Sequence, residues 1–388
     1  MGDPAALMNA NEVKVIGAGP VGAVFALLAA RFGVKVSLLD ARSGPSRESR
    51  TLALSHGSRA ILERVGAWDA CAPRAAHIHR IHTSQQGAFG RAVIDRTDAG
   101  VPALGYVIGY SDLQGALDTA LERAGIAVEF GARVAAIFDD AGGAHIALES
   151  GALFHGEAAV LADGGANLSK LPRFSTEEKD YAQSALLAHV TCDRPHEHTA
   201  YERFTPEGPA ALLPSLEKNA YSMVWVSAHE RIDVLMAMPD AEFLAAFQSH
   251  FGHRAGRFVS VDARKRFPLK LRTVHPRASG RIAVIGNAAQ ALHPVAGQGF
   301  NLGLRDALML AECLAQPGAK AVDAMSAYAA LRESDVERSI GFTDLLVSLF
   351  GSANSPTQAV RGAGLAALDA LPFARRVLAA RMSFGAPR

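Results

Sequence analysis

Cysteine is scarce in this chain: Cys71, Cys192 and Cys313 are the only three thiols in 388 residues. Widely spaced and odd in number, they suit reduced thiols better than a disulfide framework or a metal site. Excess charge is lacking too, because 39 basic residues face 38 acidic ones and leave a formal net charge of +1. No global field then draws nucleic acid or another polyanion, and any membrane contact must be local. No apolar run approaches the roughly 20 residues that a spanning helix needs. The opening MGDPAALMNANEV has Asp3 and no basic stretch, and its apolar content is too broken for a signal peptide. Repeats, low-complexity tracts and linkers are missing as well. The expectation is a cytoplasmic protein, with peripheral contact at the inner face of the membrane left open as a local property.

What is present is apolar content enough for a large core. With 49% hydrophobic and 20% charged residues, the chain reads as globular, and its length suits two joined domains. From Val13 the pattern runs strand (VKVIG), glycine loop (AGPVG), helix (AVFALLAARFG), strand (VKVSLLD), one βαβ unit of the length a dinucleotide fold requires. Residues 55–71 read as a helix capped by Ser55, and HIHRIHTSQ and RAVIDR as strands. A third helix is expected over 111–125. IAVEFG reads as a strand, RVAAIFDD and AHIALES as a hairpin, and EAAVLADGG as a buried strand entering a glycine turn. Between 185 and 240 the segments LLAHVTC, AYERFT, AALLPS, YSMVWVS and IDVLMAMP all read as strands of an antiparallel sheet, with mostly helical sequence after 300.

GAGPVG, residues 17–22, fits G-x-G-x-x-G. Gly17 permits the tight turn, Gly19 lets backbone approach a pyrophosphate, and Gly22 lets helix and strand pack closely. The first amides of the following helix then face the phosphates. Asp40 closes the second strand about 20 residues on, where a carboxylate accepts from a ribose hydroxyl. The stretch GNAAQALHPVAGQGFNLGLRD, residues 286–306, holds four glycines, a proline and two asparagines directly after the apolar IAVI. Together with ADGG at 162–165, it gives two further strand-loop elements and implies a ligand longer than one nucleotide half.

At this point the chain resembles the FAD-dependent aromatic-ring hydroxylases of the p-hydroxybenzoate hydroxylase class. It is most similar to the UbiH/VisC-type hydroxylases of ubiquinone biosynthesis. The resemblance runs through GAGPVG, RTLALSHGSRAIL, LGYVIGYSDLQGAL, ADGGANLSK, AYERFTPEGPAALLP, FPLKLR, the 286–306 motif and TDLLVSLFGS. It implies a mixed α/β fold: a Rossmann-like FAD-binding domain (1–72, 100–180 and 268–330), an interleaved antiparallel-sheet substrate domain (73–99 and 181–267) and a C-terminal helical region (331–388). It implies FAD held by Gly17, Gly19, Gly22, Asp40, Arg50, Asp163, Gly164, Gly286, Asn287, Gly297, Gly299 and Asn301. It further implies electrons from NADH or NADPH, O2 as oxygen donor through a C4a-hydroperoxyflavin, and a prenylated phenol as substrate. Association with other ubiquinone-biosynthesis proteins or with a membrane surface follows from such a substrate.

Several positions depart from the family pattern. Asn167 and Lys170 stand where the second motif usually has Ser and Arg, and Gly109-Tyr110 replaces a polar pair. Asn287 stands where the wider class has Asp, as in the UbiH-like branch, and its side-chain carbonyl can still accept from a ribityl hydroxyl. The candidate catalytic residues are His293, Pro294 and Gln298. Pro294 biases His293 towards an extended conformation beside the flavin ring, and Gly297-Gln298-Gly299 bends the chain into a helix. The start of that helix carries about half a positive charge towards the reduced flavin.

His77, His79 and His82 read as a half-buried strand and not as a zinc site. The basic series Arg254, Arg257, Arg264, Lys265, Arg266, Lys270 and Arg272 reads as a solvated face. The segment GLAALDALPFARRVLAARMSFGAPR has apolar residues at helical spacing opposite Arg375, Arg376 and Arg381. A helix there either rests on an anionic membrane or a partner, or packs on the nucleotide domain. Two other activities stay open: another FAD oxidoreductase of the same fold, such as a polyprenyl reductase or epoxidase, and a non-catalytic flavoprotein scaffold.

Overall fold

The computed structural model describes residues 12–45, 48, 50–87, 89–292, 298–351 and 355–384. Two large sheets organise the mixed α/β fold. The first has six strands in the spatial order Ala278–Ser279, Ile282–Val284, Ala158–Leu161, Glu12–Ile16, Lys35–Asp40, Val128–Phe130. All its pairings are parallel except that of the edge strand Ala278–Ser279. Its central strands are covered on both faces, so every residue of Glu12–Ile16 and of Ala158–Leu161 is buried, Glu12 and Lys14 of the first as an ion pair at 2.9 Å.

Register brings three loops to one edge. Ile16 lies beside Leu161, and Leu161 beside Val284, so three strands end level. The sequences that leave them are GAGPVG, ADGG and GNAA, all at the carboxyl ends of a parallel sheet, where open α/β sheets bind ligands.

The second sheet has nine strands and is antiparallel apart from the parallel pairing of Arg80–Gln85 with Thr199–Phe204. It draws strands from 80–95, 175–275 and 290–291. Ser175–Cys192 is its longest strand, pairing with Ala220–Ala228 on one side and Lys265–His275 on the other. One expectation fails here: IDVLMAMP is not a strand but most of the helix His229–Ala237 and its exit. Ile232 and Leu235 are fully buried at helical spacing while Val234 between them is 52% exposed, a period of three that a short apolar run hides.

Ser55 caps the helix His56–Arg64, its hydroxyl accepting from the Ser58 amide, but that helix does not run on to residue 71: it stops before Gly66, at φ +73°, and a separate short helix spans Trp68–Cys71. The hairpin Val134–Asp139 with Ala144–Leu148 is present, as is the helix Tyr110–Arg123. The C-terminal helices Ser355–Ala370 and Pro372–Phe384 close the chain. The last of them buries Ala379 and Ser383, and Leu378 and Met382 pack on Ile94 and Leu104, so one face is docked on the body. The other face leaves Leu371, Phe373, Val377 and Phe384 exposed. Among the described residues no helix is long and apolar enough to cross a membrane.

Candidate active site

One cavity of about 780 Å³ lies between the three loops and the nine-stranded sheet. Gly17, Gly19, Asp40, Arg50, Asp163, Gly164, Asn287, Gly299 and Asn301 line it from the nucleotide side. Ala185, Leu187, Leu213, Val224, Val226, Phe267 and Leu269 line it from the sheet.

The glycines of the first loop divide as their spacing requires. Gly17 has φ +105°, and a Cβ on it would come within 2.7 Å of the Ala162 carbonyl. A Cβ on Gly22 would lie 2.0 Å from the Gly17 oxygen, so the helix Pro20–Arg31 can sit against the turn only without one. At Gly19 the space is open, with only the Tyr110 hydroxyl within reach, at 3.7 Å, among the described residues. Gly19 caps its helix with no side-chain hydrogen bond, and the first turn holds no acidic residue. An uncapped helix start with room for an anion fits a pyrophosphate group. Gln114 steadies the turn by donating to the Ala18 carbonyl at 3.0 Å.

Asp40 reaches the cavity, and its carboxylate is already well supplied with donors. The Ala18 amide donates at 2.7 Å, and the Arg42 backbone amide, Nε and Nη2 donate at 2.8 Å each. Burial alone would raise this carboxyl, but the Arg42 and Ala18 hydrogen bonds outweigh it and hold it below the usual carboxylate range. A ribose hydroxyl approaching Asp40 therefore competes with the Arg42 guanidinium. Arg50 lies over the Tyr110 ring at 4.7 Å and pairs with Glu48 at 3.2 Å. Tyr110 also lines the cavity, so the replaced pair before this helix supplies an aromatic wall.

In the second loop Asp163 shapes its own turn, accepting from the Gly165 amide at 2.8 Å and from the Asn167 amide and side chain at 2.9 and 2.7 Å. Asn167 thereby locks the carboxylate in place. Lys170 turns away and donates to the Val134 carbonyl. In the third loop the Gly286 amide donates to Asp306 at 2.9 Å, and the Asn287 side chain is exposed towards the cavity.

Asp306 is fully buried and also accepts from Gln290 at 2.6 Å and from Arg332 Nε at 2.7 Å. Gln298 opens the helix Gln298–Leu314, whose early residues Gly299, Phe300 and Asn301 line the cavity. Asn301 itself is buried. Its oxygen accepts from the Ser55 amide and Ser58 hydroxyl at 2.8 and 2.7 Å, and its amide donates to Ala53. That side chain places the helix. His293, Pro294 and Gly297 lie outside the described residues.

Arg272 is expected on a solvated face with the rest of the basic series, and the structure sets it apart. Its Nη2 donates to the Gly164 carbonyl at 2.6 Å and to the Asn287 carbonyl at 2.7 Å, tying the second loop to the third. Its neighbours in that series bind within the sheet domain instead, Arg264 to Asp240 and the Leu235 carbonyl, Arg266 to Asp233 and the Ser184 hydroxyl, and Lys270 to Glu178. Only strand register could have revealed the difference. His82 is bound by Arg254 at 2.9 Å, while the His79 and His198 rings lie 4.4 Å apart between centres at a tilt of 37°. Among the described residues no group could hold a metal ion.

A family model described as an FAD binding domain matches residues 10–342. The chain is 30% identical to a ubiquinone hydroxylase, UbiL, of Rhodospirillum rubrum, over 94% of this chain and 88% of that one. It is 28% identical to the 3-demethoxyubiquinol 3-hydroxylase of Escherichia coli, over 92% and 95% respectively. The fold matches the crystal structure of p-nitrophenol 4-monooxygenase PnpA from Pseudomonas putida with a TM-score of 0.79 at 19% identity, covering 97% of this chain and 98% of that one. With three level loops, a glycine cradle that fits a pyrophosphate and a match of this extent, the chain belongs to the FAD binding domain family, among relatives named as ubiquinone hydroxylases.

Proposed function

We propose that this protein is an FAD-dependent monooxygenase that hydroxylates the aromatic ring of a polyprenylated phenol in ubiquinone biosynthesis. The observation that carries the reading is the union of the three-loop nucleotide site and an apolar sheet face in one cavity. Bound there, FAD would supply the activation of O2, with electrons from NADH or NADPH. The protein's part is to hold and enclose. Gly17, Gly19 and Gly22 admit the pyrophosphate, Asp40 and Arg50 stand at the adenosine half, and Asp163, Asn287 and the Gln298–Leu314 helix start stand along the remainder. The wall of Ala185, Leu187, Val224, Val226 and Leu269 seats a greasy ligand and keeps water from the ring.

The test is to purify the protein, read its flavin spectrum, and mix it anaerobically with NADH or NADPH, with and without a prenylphenol, before admitting O2. The expected outcome is flavin reduction followed by a product heavier by one oxygen atom. Failure to retain FAD sinks the reading. Reduction of the prenyl chain, or its epoxidation with the ring intact, would move the protein to the sister activities, and a flavin inert to both nucleotides would favour a scaffold.

The location proposed is cytoplasmic with peripheral contact at the membrane face. Phe373, 78% exposed, and Val377, 53% exposed, stand beside Arg376 on the last helix, whose Met382 lines the cavity. Apolar side chains flanked by arginine suit an anionic bilayer surface. Co-sedimentation with vesicles containing phosphatidylglycerol should fall in a Phe373→Ser, Val377→Ser variant that keeps its flavin. Sedimentation unchanged by both substitutions, or absent in the parent, removes the membrane contact.

A further inference from the structure

The segment AYERFTPEGPAALLP folds as two neighbouring strands of the nine-stranded sheet, Thr199–Phe204 and Ala210–Pro214. Strand alternation sends Ala200 and Glu202 to one face, while the Tyr201 ring between them meets Tyr221 and Phe251, though Tyr201 also borders the cavity. Register fixes what surrounds Glu202. It pairs across the strands with Ala211, which pairs with Val224, which pairs with Leu187. In-register neighbours share a face, and all four residues line the cavity. Leu213 and Leu269 extend the same wall. Among the described residues, Glu202 is the one carboxylate that this sheet contributes to the cavity lining. The other acids of the cavity, Asp40, Glu48 and Asp163, belong to the nucleotide side.

We propose that Glu202 is the substrate-recognising residue of the apolar half, accepting a hydrogen bond from the ring hydroxyl of the phenol. This rests on the polyprenylphenol reading above. An ionised carboxylate only accepts, so it favours a ligand that offers a donor there and disfavours one that offers a methyl group. In a wall otherwise made largely of alanine, valine, leucine and phenylalanine side chains, a bond to this carboxylate fixes the rotation of the ring about its long axis. Which ring carbon faces the nucleotide loops then follows from where the hydroxyl is held. Hydrogen bonds to charged groups correspond to roughly ten- to a hundredfold in affinity.

The experiment uses the FAD-loaded protein and two ligands of matched shape, 2-geranylphenol and 2-geranyltoluene, which carries a methyl group in place of the hydroxyl. Binding is followed by the change in flavin fluorescence, without turnover. The parent protein should prefer the phenol by roughly ten- to a hundredfold. Glu202→Ala should bring the two within about threefold of each other while leaving the affinity for geranyltoluene unchanged. Glu202→Gln should keep part of the preference, because an amide carbonyl still accepts. Equal binding of both ligands by the parent, or a full preference surviving in Glu202→Ala, overturns the assignment and leaves the proposed function standing. Failure of the parent to bind either ligand overturns the substrate reading and the assignment together.

Discussion

Replacing Arg272 by Met tests whether the second and third loops act as one cofactor site. The substitution keeps an aliphatic stem and removes the nitrogen that donates to Gly164 at 2.6 Å and to Asn287 at 2.7 Å. Hydrogen bonds from a charged donor contribute about 1.5–3 kcal/mol each when buried. Here the guanidinium is partly exposed and water can reach both carbonyls, so the pair together is worth about 2 kcal/mol. If that energy holds the loops at the spacing FAD requires, affinity for FAD should fall about thirtyfold.

The assay is titration of the apoprotein with FAD, followed by quenching of flavin fluorescence, beside a thermal melt of the apoprotein. The melt should drop by only a few degrees, because a chain of this size loses about 1–2 °C per kcal/mol. Arg272→Lys keeps the charge but ends one bond shorter and lacks the planar fork, so it should recover only part of the affinity. FAD binding within threefold of the parent in Arg272→Met, with the fold intact, would refute the reasoning and make the contact a surface accident.

Three further outcomes are expected. Gly22→Ala places a methyl group 2.0 Å from the Gly17 oxygen, against backbone that cannot move aside. Flavin recovered per protein should fall at least tenfold, and a normal flavin ratio would contradict the close approach. Asp306→Asn leaves fully buried Arg332 without its main counter-charge and turns an amide towards the Gly286 donor. A loss of about 3 kcal/mol in urea unfolding is expected, on the low side for a broken buried pair because Asp335 still contacts Arg332. His250, 5% exposed at its side chain, is pushed down to about 4, first by burial and then by Arg203 and Arg231. Its folded value lies below its unfolded one, so stability is full above about pH 6.5 and is lost as pH falls towards 4. Between pH 7 and 5 this amounts to roughly 2 kcal/mol, and His250→Gln should flatten that part of the profile of Tm against pH.

The parts legible in the sequence were those fixed by neighbours in the chain. Ser55 announces its helix because the capping bond spans three residues, and Gly17, Gly19 and Gly22 announce theirs because turn, phosphate approach and helix packing all fall within six. The hairpin around Gly142 is local in the same sense. The helix His229–Ala237 looks like a strand in sequence because its apolar residues are too few to separate a period of two from one of three or four. The first half of Ser175–Cys192 was not recognised as strand, since STEEKD is exposed and carries no apolar alternation.

In the site, Asp40 could be placed by its distance from the glycines, but its four contacts with Ala18 and Arg42 depend on how the loop after it returns. Arg272, Asp306 and Glu202 act across separations that only sheet register and helix docking determine. Each looks like any surface or helical residue until its partners, far off in sequence, are in place.

The interleaving of the two sheets governs the order in which this chain can fold. The six-stranded sheet needs Glu12–Ile16 near the start of the sequence and Ile282–Val284 about 270 residues further on. The nine-stranded sheet needs Arg80–Gln85 and Lys265–His275 before it is complete. Neither can close while the ribosome still holds the third quarter of the chain. Until then Ala158–Leu161, apolar along its whole length, and the long strand after it wait with open edges. Such a topology folds slowly and is exposed to edge-to-edge association during synthesis. A truncation anywhere between 95 and 265 therefore leaves neither sheet whole. Slower translation or lower temperature during expression should raise the yield of folded protein more than any gain in its final stability.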